Sequence, residues 1–327
     1  MSFGVIGAGS PLVDYTAAVS DCFLQQHLDG CKGGTVHISN SEREVLLREL
    51  GSNMLRTPGG AAANTIAALG KLHVRTAFIG KLGDDDDGDF FRRSMISSGV
   101  SPEYLYTVPG RETGYCLSLV TPDAERTMRS NLGVSTAWTP AEFSPQMFTD
   151  HSWLLSEGYM LQIPGFDRIF DAAHAAGCQT ALDLSSIEIA RAMRDELPSL
   201  IENKIDLLLC NADEAAALTG IPSPEENISF LVKLTGTVVI KMGEHGSLIA
   251  SKTSNIIRVP AIAEAPVIDT TAAGDHYAAG FFFGLAQNAG LELCGQYGAY
   301  LGGAIATVSG SRLPEEYWQK FFKKFDL

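Results

Sequence analysis

The chain has 327 residues, and at about 150 residues per domain that allows about two domains, or one large α/β domain with an appendage. Hydrophobic residues make up 45% and charged residues 19%, a globular composition that excludes a disordered or coiled-coil chain. Lys and Arg number 24 against 38 Asp and Glu, a net charge of −14, which argues against nucleic-acid binding but not against a local pocket for a small anion.

Phe3 to Gly7 reads as a core strand, Ala61 to Leu72 as a helix and Arg75 to Ile79 as a second strand. Tyr15 to Gly34 and Thr113 to Leu132, with Tyr115 to Thr121 extended, are polar and apolar by turns, as in a half-exposed sheet. They predict a small β-rich lid, inserted over about 15–40 and 110–132 of a single domain spanning 1–327. From Trp153 onward strands and helices alternate: strand Trp153–Leu155, helix Phe166–Ala176, strand Thr180–Leu184, strand Ile205–Cys210, helix Ala212–Thr219 and strand Thr237–Met242. Such alternation implies βαβ units and a mostly parallel sheet with helices on both faces. Ala273–Gln287 and Leu291–Val308 follow as long apolar helices.

The longest apolar segment, Ala278 to Ala286, is far short of the ~18 to 20 residues that span a bilayer. Met1-Ser2-Phe3-Gly4 has no basic region of a signal peptide. Cys22, Cys31, Cys116, Cys178, Cys210 and Cys294 form no C-x-x-C pair and are expected as free, buried thiols in a reducing cytoplasm.

Several motifs fail on inspection. Gly7-Ala8-Gly9-Ser10-Pro11-Leu12 starts like a dinucleotide fingerprint but lacks the third glycine, and Pro11 stands where the helix should open. Gly70-Lys71-Leu72 and Gly80-Lys81-Leu82 lack the hydroxyl residue of a P-loop. Asp84 to Gly88 lacks the closing glutamate of a calcium loop and reads as an acidic turn before a helix.

Asp269-Thr270-Thr271-Ala272-Ala273-Gly274-Asp275 carries more chemistry. The small residues Ala272, Ala273 and Gly274 let backbone approach a ligand, and their N–H groups open a helix whose dipole favours an anion. Asp275 at that start suits proton abstraction from a hydroxyl beside a phosphate. It equally suits a plain helix cap. Thr57-Pro58-Gly59-Gly60-Ala61-Ala62-Ala63-Asn64 is a second small-residue helix start, where Asn64 offers both donor and acceptor.

These two segments resemble the two signatures of the PfkB, or ribokinase-like, kinase family. The resemblance extends to Asn211-Ala212-Asp213-Glu214 and to Lys241-Met242-Gly243-Glu244-His245-Gly246, in family order over nearly the whole chain. It implies a three-layer α/β/α domain with a mostly parallel central sheet and a small β-sheet lid. It implies ATP as phosphoryl donor, Mg2+, and an alcohol acceptor. By the same resemblance Asp275 is the base, and Ala272, Ala273 and Gly274 form the anion hole. Asp14, Gly59, Gly60, Asn64 and Glu157 face the acceptor. Asn211, Glu214, Lys241, Gly243 and Gly246 belong to the nucleotide site, with Glu214 holding Mg2+ through water. Asp269 and Thr271 match positions that touch a monovalent cation such as K+ in several relatives. His276 after the base is unusual for the family and is expected to cap or pack.

The segments Gly9 to Asp14, Ala17 to Leu24, Thr113 to Cys116 and Arg126 to Gly133 resemble the adenosine kinase branch. Adenosine is therefore the first expectation for the acceptor, with Phe23, Val36, Ile38, Cys116 and Leu117 as candidates for a purine slot or for ordinary lid core. A free sugar such as ribose or fructose is the alternative within the family. Arg126 and Arg129 are a thin basic cluster for a sugar phosphate, and Arg126 could instead meet the ATP phosphates. A non-catalytic ligand-binding protein on the same fold is the alternative from another class. Nothing predicts a membrane or nucleic-acid partner, and monomer and homodimer are both compatible with an exposed lid sheet.

Overall fold

The computed structural model describes residues 3–28, 32–51, 54–123, 125–263 and 265–327. Among them, nine strands make one sheet and five make another. The large sheet runs in the order Ile257–Val259, Ser247–Ser251, Thr237–Lys241, Leu207–Asn211, Gln179–Asp183, Trp153–Glu157, Gly4–Ala8, Arg75–Gly83 and Leu105–Val108. Neighbours are parallel except around Ser247–Ser251, which is antiparallel to both strands beside it.

The central strands are buried on both faces. Ile6, Leu154, Leu182, Leu208 and Ile240 point into one core, and Val5, Leu155, Leu209 and Val239 into the other. Helices Ala61–Lys71, Ala273–Ala286 and Leu291–Ile305 cover one face, and Arg168–Ala175, Ala212–Thr219 and Pro224–Leu231 the other. Double burial is why these strands read as unbroken apolar runs. The three-layer arrangement is the expected one, with most strand and helix ends shifted by a residue or two, but with strand Arg75–Gly83 running four residues past its expected end and helix Leu291–Ile305 stopping three short. No helix among the described residues is long and apolar enough to cross a membrane.

The small sheet has the order Thr35–His37, Arg126–Asn131, Gly114–Val120, Leu12–Ala18, Leu55–Gly59. One expectation needs correction here. The Tyr15–Gly34 stretch is not sheet throughout: after strand Leu12–Ala18 it forms helix Asp21–His27, because Ser20 caps it by accepting a 3.1 Å bond from Phe23 N. Helix Asn40–Leu50 lays Leu46 against Tyr115 and Leu117 on one face of the sheet. Asp14 lies opposite Thr57 and Cys116, and Cys116 opposite Ser130, so these four share the other face.

The acidic run starts a helix, as expected. Asp85 caps Asp86–Ser97 by accepting a 2.8 Å bond from Gly88 N, and Asp87 is buried against Arg43 and Arg56. Cys178, Cys210 and Cys294 are free and buried, whereas Cys116 is half-buried and Cys22 is exposed on its short helix. Cys31 lies outside the described residues.

Candidate active site

Four adjacent parallel strands end on Glu157, Asp183, Asn211 and Lys241. Ligands in open α/β sheets gather at such carboxyl ends. Asp275, in the first turn of helix Ala273–Ala286, faces this row. Asn64 donates from Nδ2 to Asp275 Oδ2 at 2.8 Å, and Thr65 Oγ1 donates to the Asp275 carbonyl at 3.1 Å. Two distant small-residue segments thus meet at one carboxylate.

Burial raises Asp275 to about 7; Asn64 and Lys241 oppose the rise, and the negative charges of Asp183 and Glu157 add to it. The turn before it suits an anion. Ala272 is left-handed, with φ at 60°, and the helix follows at once. A left-handed residue followed by right-handed ones turns successive N–H groups into one concavity. The Lys241 ammonium sits beside that turn, 3.1 Å from where a Cβ on Gly274 would be. Lys241 also donates to Asp183 Oδ2 at 2.7 Å. Burial works against its charge, but Asp183 and Glu214 outweigh burial and raise its pKa.

On the small-sheet side, Asp14 is raised to about 6 by burial, against the pull of Arg126 and Arg312. Gly59 and Gly60 are required by contact. A Cβ on Gly59 would lie 2.3 Å from Asp14 Oδ2; one on Gly60, which has φ of 96°, would lie 2.3 Å from the Ser10 carbonyl. Glu157 accepts from Ser10 N at 2.9 Å and from Ala62 N at 2.8 Å. Both its oxygens therefore hold backbone, fixing the Gly9–Ser10 turn to the start of helix Ala61–Lys71.

Asn211 and Glu214 form a reciprocal capping box, each side chain bonding the other's backbone N–H at 2.8 Å. Burial raises Glu214 to about 7, with Asp183 adding and Lys241 opposing. Gly243 and Gly246 lie in the turn after Lys241. Asp14, Glu157, Asp183, Glu214 and Asp275 thus surround Lys241 and Arg312 with an excess of acid. A divalent cation fits that charge. Among the described residues no group of three or more His, Cys, Asp or Glu could hold an ion directly, and Mg2+ is usually held through waters and substrate phosphates.

Asp269 and Thr271 are brought together, but by bonds to each other. Asp269 Oδ1 accepts from Thr271 N at 2.9 Å and Thr271 Oγ1 at 2.5 Å, and Oδ2 from Gly310 N at 3.1 Å. Arg126 donates to Thr271 Oγ1 at 2.5 Å and lies 3.8 Å from Asp269. A carboxylate oxygen that accepts one bond keeps a lone pair for another. His276 stays out of the site: its Nδ1 meets the Ala272 carbonyl at 3.0 Å, its ring stacks on Trp318, and burial lowers it to about 3.

The purine-slot candidates divide. Cys116 shares the face of Asp14, whereas Leu117 is buried on the opposite side with Leu46. Ile38 packs on that same cluster, Phe23 packs near Leu24 and Leu119, and Val36 is exposed. The sequence reading missed Asp183 and left Arg312 without a role. A lone acid ending the apolar run Thr180–Leu182 was the signal available for Asp183.

A row of polar strand ends at the sheet's carboxyl edge, facing a buried carboxylate at a helix start, is the arrangement expected of a phosphotransferase acting on hydroxyl groups. Residues 36–318 match the family described as pfkB family carbohydrate kinase, and the chain belongs to it. The crystal structure of adenosine kinase from Sinorhizobium meliloti matches with TM-score 0.88 and 27% identity, over 99% of this chain and 100% of that one. That of a probable sugar kinase from Rhizobium etli CFN 42 matches equally, with TM-score 0.88 and 27% identity over 100% and 99%. Aminoimidazole riboside kinase of Salmonella typhimurium is 29% identical over 252 residues, 74% of this chain and 78% of that protein. The fold is ribokinase-like, and the chain is a sugar or nucleoside kinase rather than a non-catalytic binding protein.

Proposed function

We propose that this kinase transfers the γ-phosphoryl group of ATP to a primary hydroxyl of a nucleoside, with adenosine as the first acceptor and AMP as product. The carrying observation is Asp275, buried, raised to about 7 and hydrogen-bonded by Asn64 at the helix start. A base poised near neutral pH suits proton removal from an alcohol. The acceptor oxygen bonds to the γ-phosphorus, its proton passes to Asp275, and the bond from the γ-phosphorus to the β–γ bridging oxygen breaks to release ADP.

In this reading Asp14 and Asn64 grip the sugar hydroxyls, with Gly59 and Gly60 clearing space. Glu157 acts on the acceptor side by holding that turn. The N–H groups of Ala272, Ala273 and Gly274, with the Lys241 ammonium, meet the oxygens of the transferred group. Gly243 leaves backbone open beside the nucleotide, and Gly246 lets the turn pass against the Val259 carbonyl, 2.0 Å from where a Cβ on Gly246 would be. Glu214, oriented by Asn211, would hold Mg2+ through water, and the bound ion would supply charge neutralisation on the phosphates. By the same reading a monovalent cation such as K+ would meet the Asp269 carboxylate and the Thr271 backbone carbonyl ahead of the Ala272 turn. The small sheet serves as the lid.

A free sugar is the second reading. It is favoured by the polar face around Asp14, where Thr57, Cys116 and Ser130 are joined by His37, whose Nδ1 lies 3.1 Å from Ser130 Oγ. The test is ADP release from Mg-ATP with adenosine, other nucleosides, ribose, fructose and fructose 6-phosphate. Turnover with adenosine is expected, and turnover with ribose or fructose alone selects the second reading. Asp275→Asn should lower kcat by about 10²- to 10⁴-fold with folding intact. Wild-type turnover in that variant would remove Asp275 from the mechanism.

A further inference from the structure

Arg312 comes from the loop after helix Leu291–Ile305, far from any motif. Its Nη1 donates to Asn64 Oδ1 at 2.6 Å and to the Ser311 carbonyl at 3.1 Å. Its Nε and Nη2 are buried without a hydrogen-bond partner. The stem lines a cavity of about 190 Å³ behind the base-bearing helix, with Ala67, Ala68, Leu313 and Trp318. A guanidinium held with donors unmatched is costly, and among the described residues Arg312 forms no ion pair within 4 Å to account for it.

We propose that Arg312 is a positioning residue for the base: it fixes which way the Asn64 amide points, and through Asn64 it keeps the Asp275 carboxylate ionised and aimed. A guanidinium only donates. The Asn64 atom facing it must therefore be oxygen, so the NH2 group faces Asp275. Without Arg312 the amide is free to turn its oxygen to the carboxylate. A donor on a carboxylate favours the charged form, as does a cation nearby. The other charged groups acting on Asp275 are Asp183 and Lys241 at the strand ends and Glu157 at the neighbouring strand end, and Asp14 shares the field of Arg312. Of the two cations, Lys241 is paired with Asp183. Arg312 alone reaches Asp275 through a hydrogen-bonded relay. This inference rests on the kinase reading for its consequence in turnover, but not for its effect on the carboxylate.

The experiment has two readouts. First, the Asp275 carboxyl carbon is titrated by 13C NMR in ligand-free protein, with Asp275→Asn identifying the signal. Arg312→Gln should raise the midpoint by about one pH unit, and Arg312→Lys by less. Asn64→Leu, which breaks the link and leaves Arg312 in place, should also raise it, and it carries the test if Arg312→Gln does not fold. Second, kcat is followed against pH. The base must be ionised, so the acid limb of Arg312→Gln should move to higher pH. About 10-fold of activity is then lost near pH 6 and most of it returns by pH 9. An unmoved midpoint in Arg312→Gln and Asn64→Leu overturns the proposal. So does a loss that is equal at every pH, as a merely structural role would give, or a change confined to KM, as a direct acceptor contact would give. If no acceptor is turned over by the wild type, the kinase reading fails and the NMR midpoint still decides the role of Arg312.

Discussion

Both oxygens of Glu157 accept backbone N–H groups, one from each of two turns that frame the acceptor side. A glutamine there keeps one acceptor and turns an NH2 toward the other N–H. Glu157→Gln should therefore cost about 1–3 kcal/mol, read as a lower urea midpoint, and raise KM for the acceptor as the turns drift. Gly59 shows a different sensitivity. Gly59→Ala puts a methyl 2.3 Å from Asp14 Oδ2, so the carboxylate must move. A displacement of about 1 Å in a positioning group can cost about 10²-fold, and that loss should appear in kcat/KM for the acceptor with ATP affinity preserved. Single residues were legible where they stood in a local motif, whatever the distance to their partners. Asn64, Gly59, Gly60 and Asp275 stand in local motifs, whereas Arg312 meets Asn64 across 248 positions. No local pattern marks such a pair.

At the scale of elements, the base-bearing helix begins under strain. Ala272 holds φ at 60° with a side chain that disfavours it. Relief of a left-handed residue is worth about 1–2 kcal/mol. Ala272→Gly should therefore raise or hold the melting temperature, with turnover retained because the N–H groups keep their directions. Six strands of the large sheet were legible because burial on both faces makes them continuous apolar runs, whereas Leu105–Val108, Ser247–Ser251 and Ile257–Val259, toward the sheet's edges, were not. Helix Asp21–His27 was not. At seven residues it is too short for a helical period, and its main local mark is the Ser20 cap. The small sheet was half legible. Its alternation was visible, but which side faced the acceptor depended on where helix Asn40–Leu50 packed, a fact of tertiary structure.

Across the whole molecule, several buried carboxylates are shifted the same way. Asp14 is raised to about 6, and Asp275 and Glu214 to about 7. The folded state then keeps protons that the unfolded chain has released. The share of stability these three carboxylates supply should fall as pH rises from about 4 to about 7, while His276, lowered to about 3 in the fold, contributes in the opposite sense between about 3 and about 6.5. Melting of the ligand-free protein is expected to peak on the acid side of neutrality, with Mg-ATP flattening the decline toward pH 8. A rise in melting temperature from pH 5 to 8 would contradict it. Closure of the small sheet over the acceptor should also exclude water from the γ-phosphate. Slow ATP hydrolysis without acceptor, suppressed further by a bound but unreactive acceptor analogue, is the expected outcome.

Every strand of the small sheet lies before residue 132, whereas Asp275 and Arg312 lie near the end of the chain. During synthesis the acceptor cradle therefore leaves the ribosome long before the group that uses it. At about 5–20 residues per second, the interval is about 7 to 30 seconds. Through it, Asp14 has Arg126 beside it but neither Arg312 nor Asp275. A nascent chain at that stage has made the small sheet but not Asn211, Lys241 or Asp275, so every contact between that sheet and those residues waits for the later strands and the C-terminal helices.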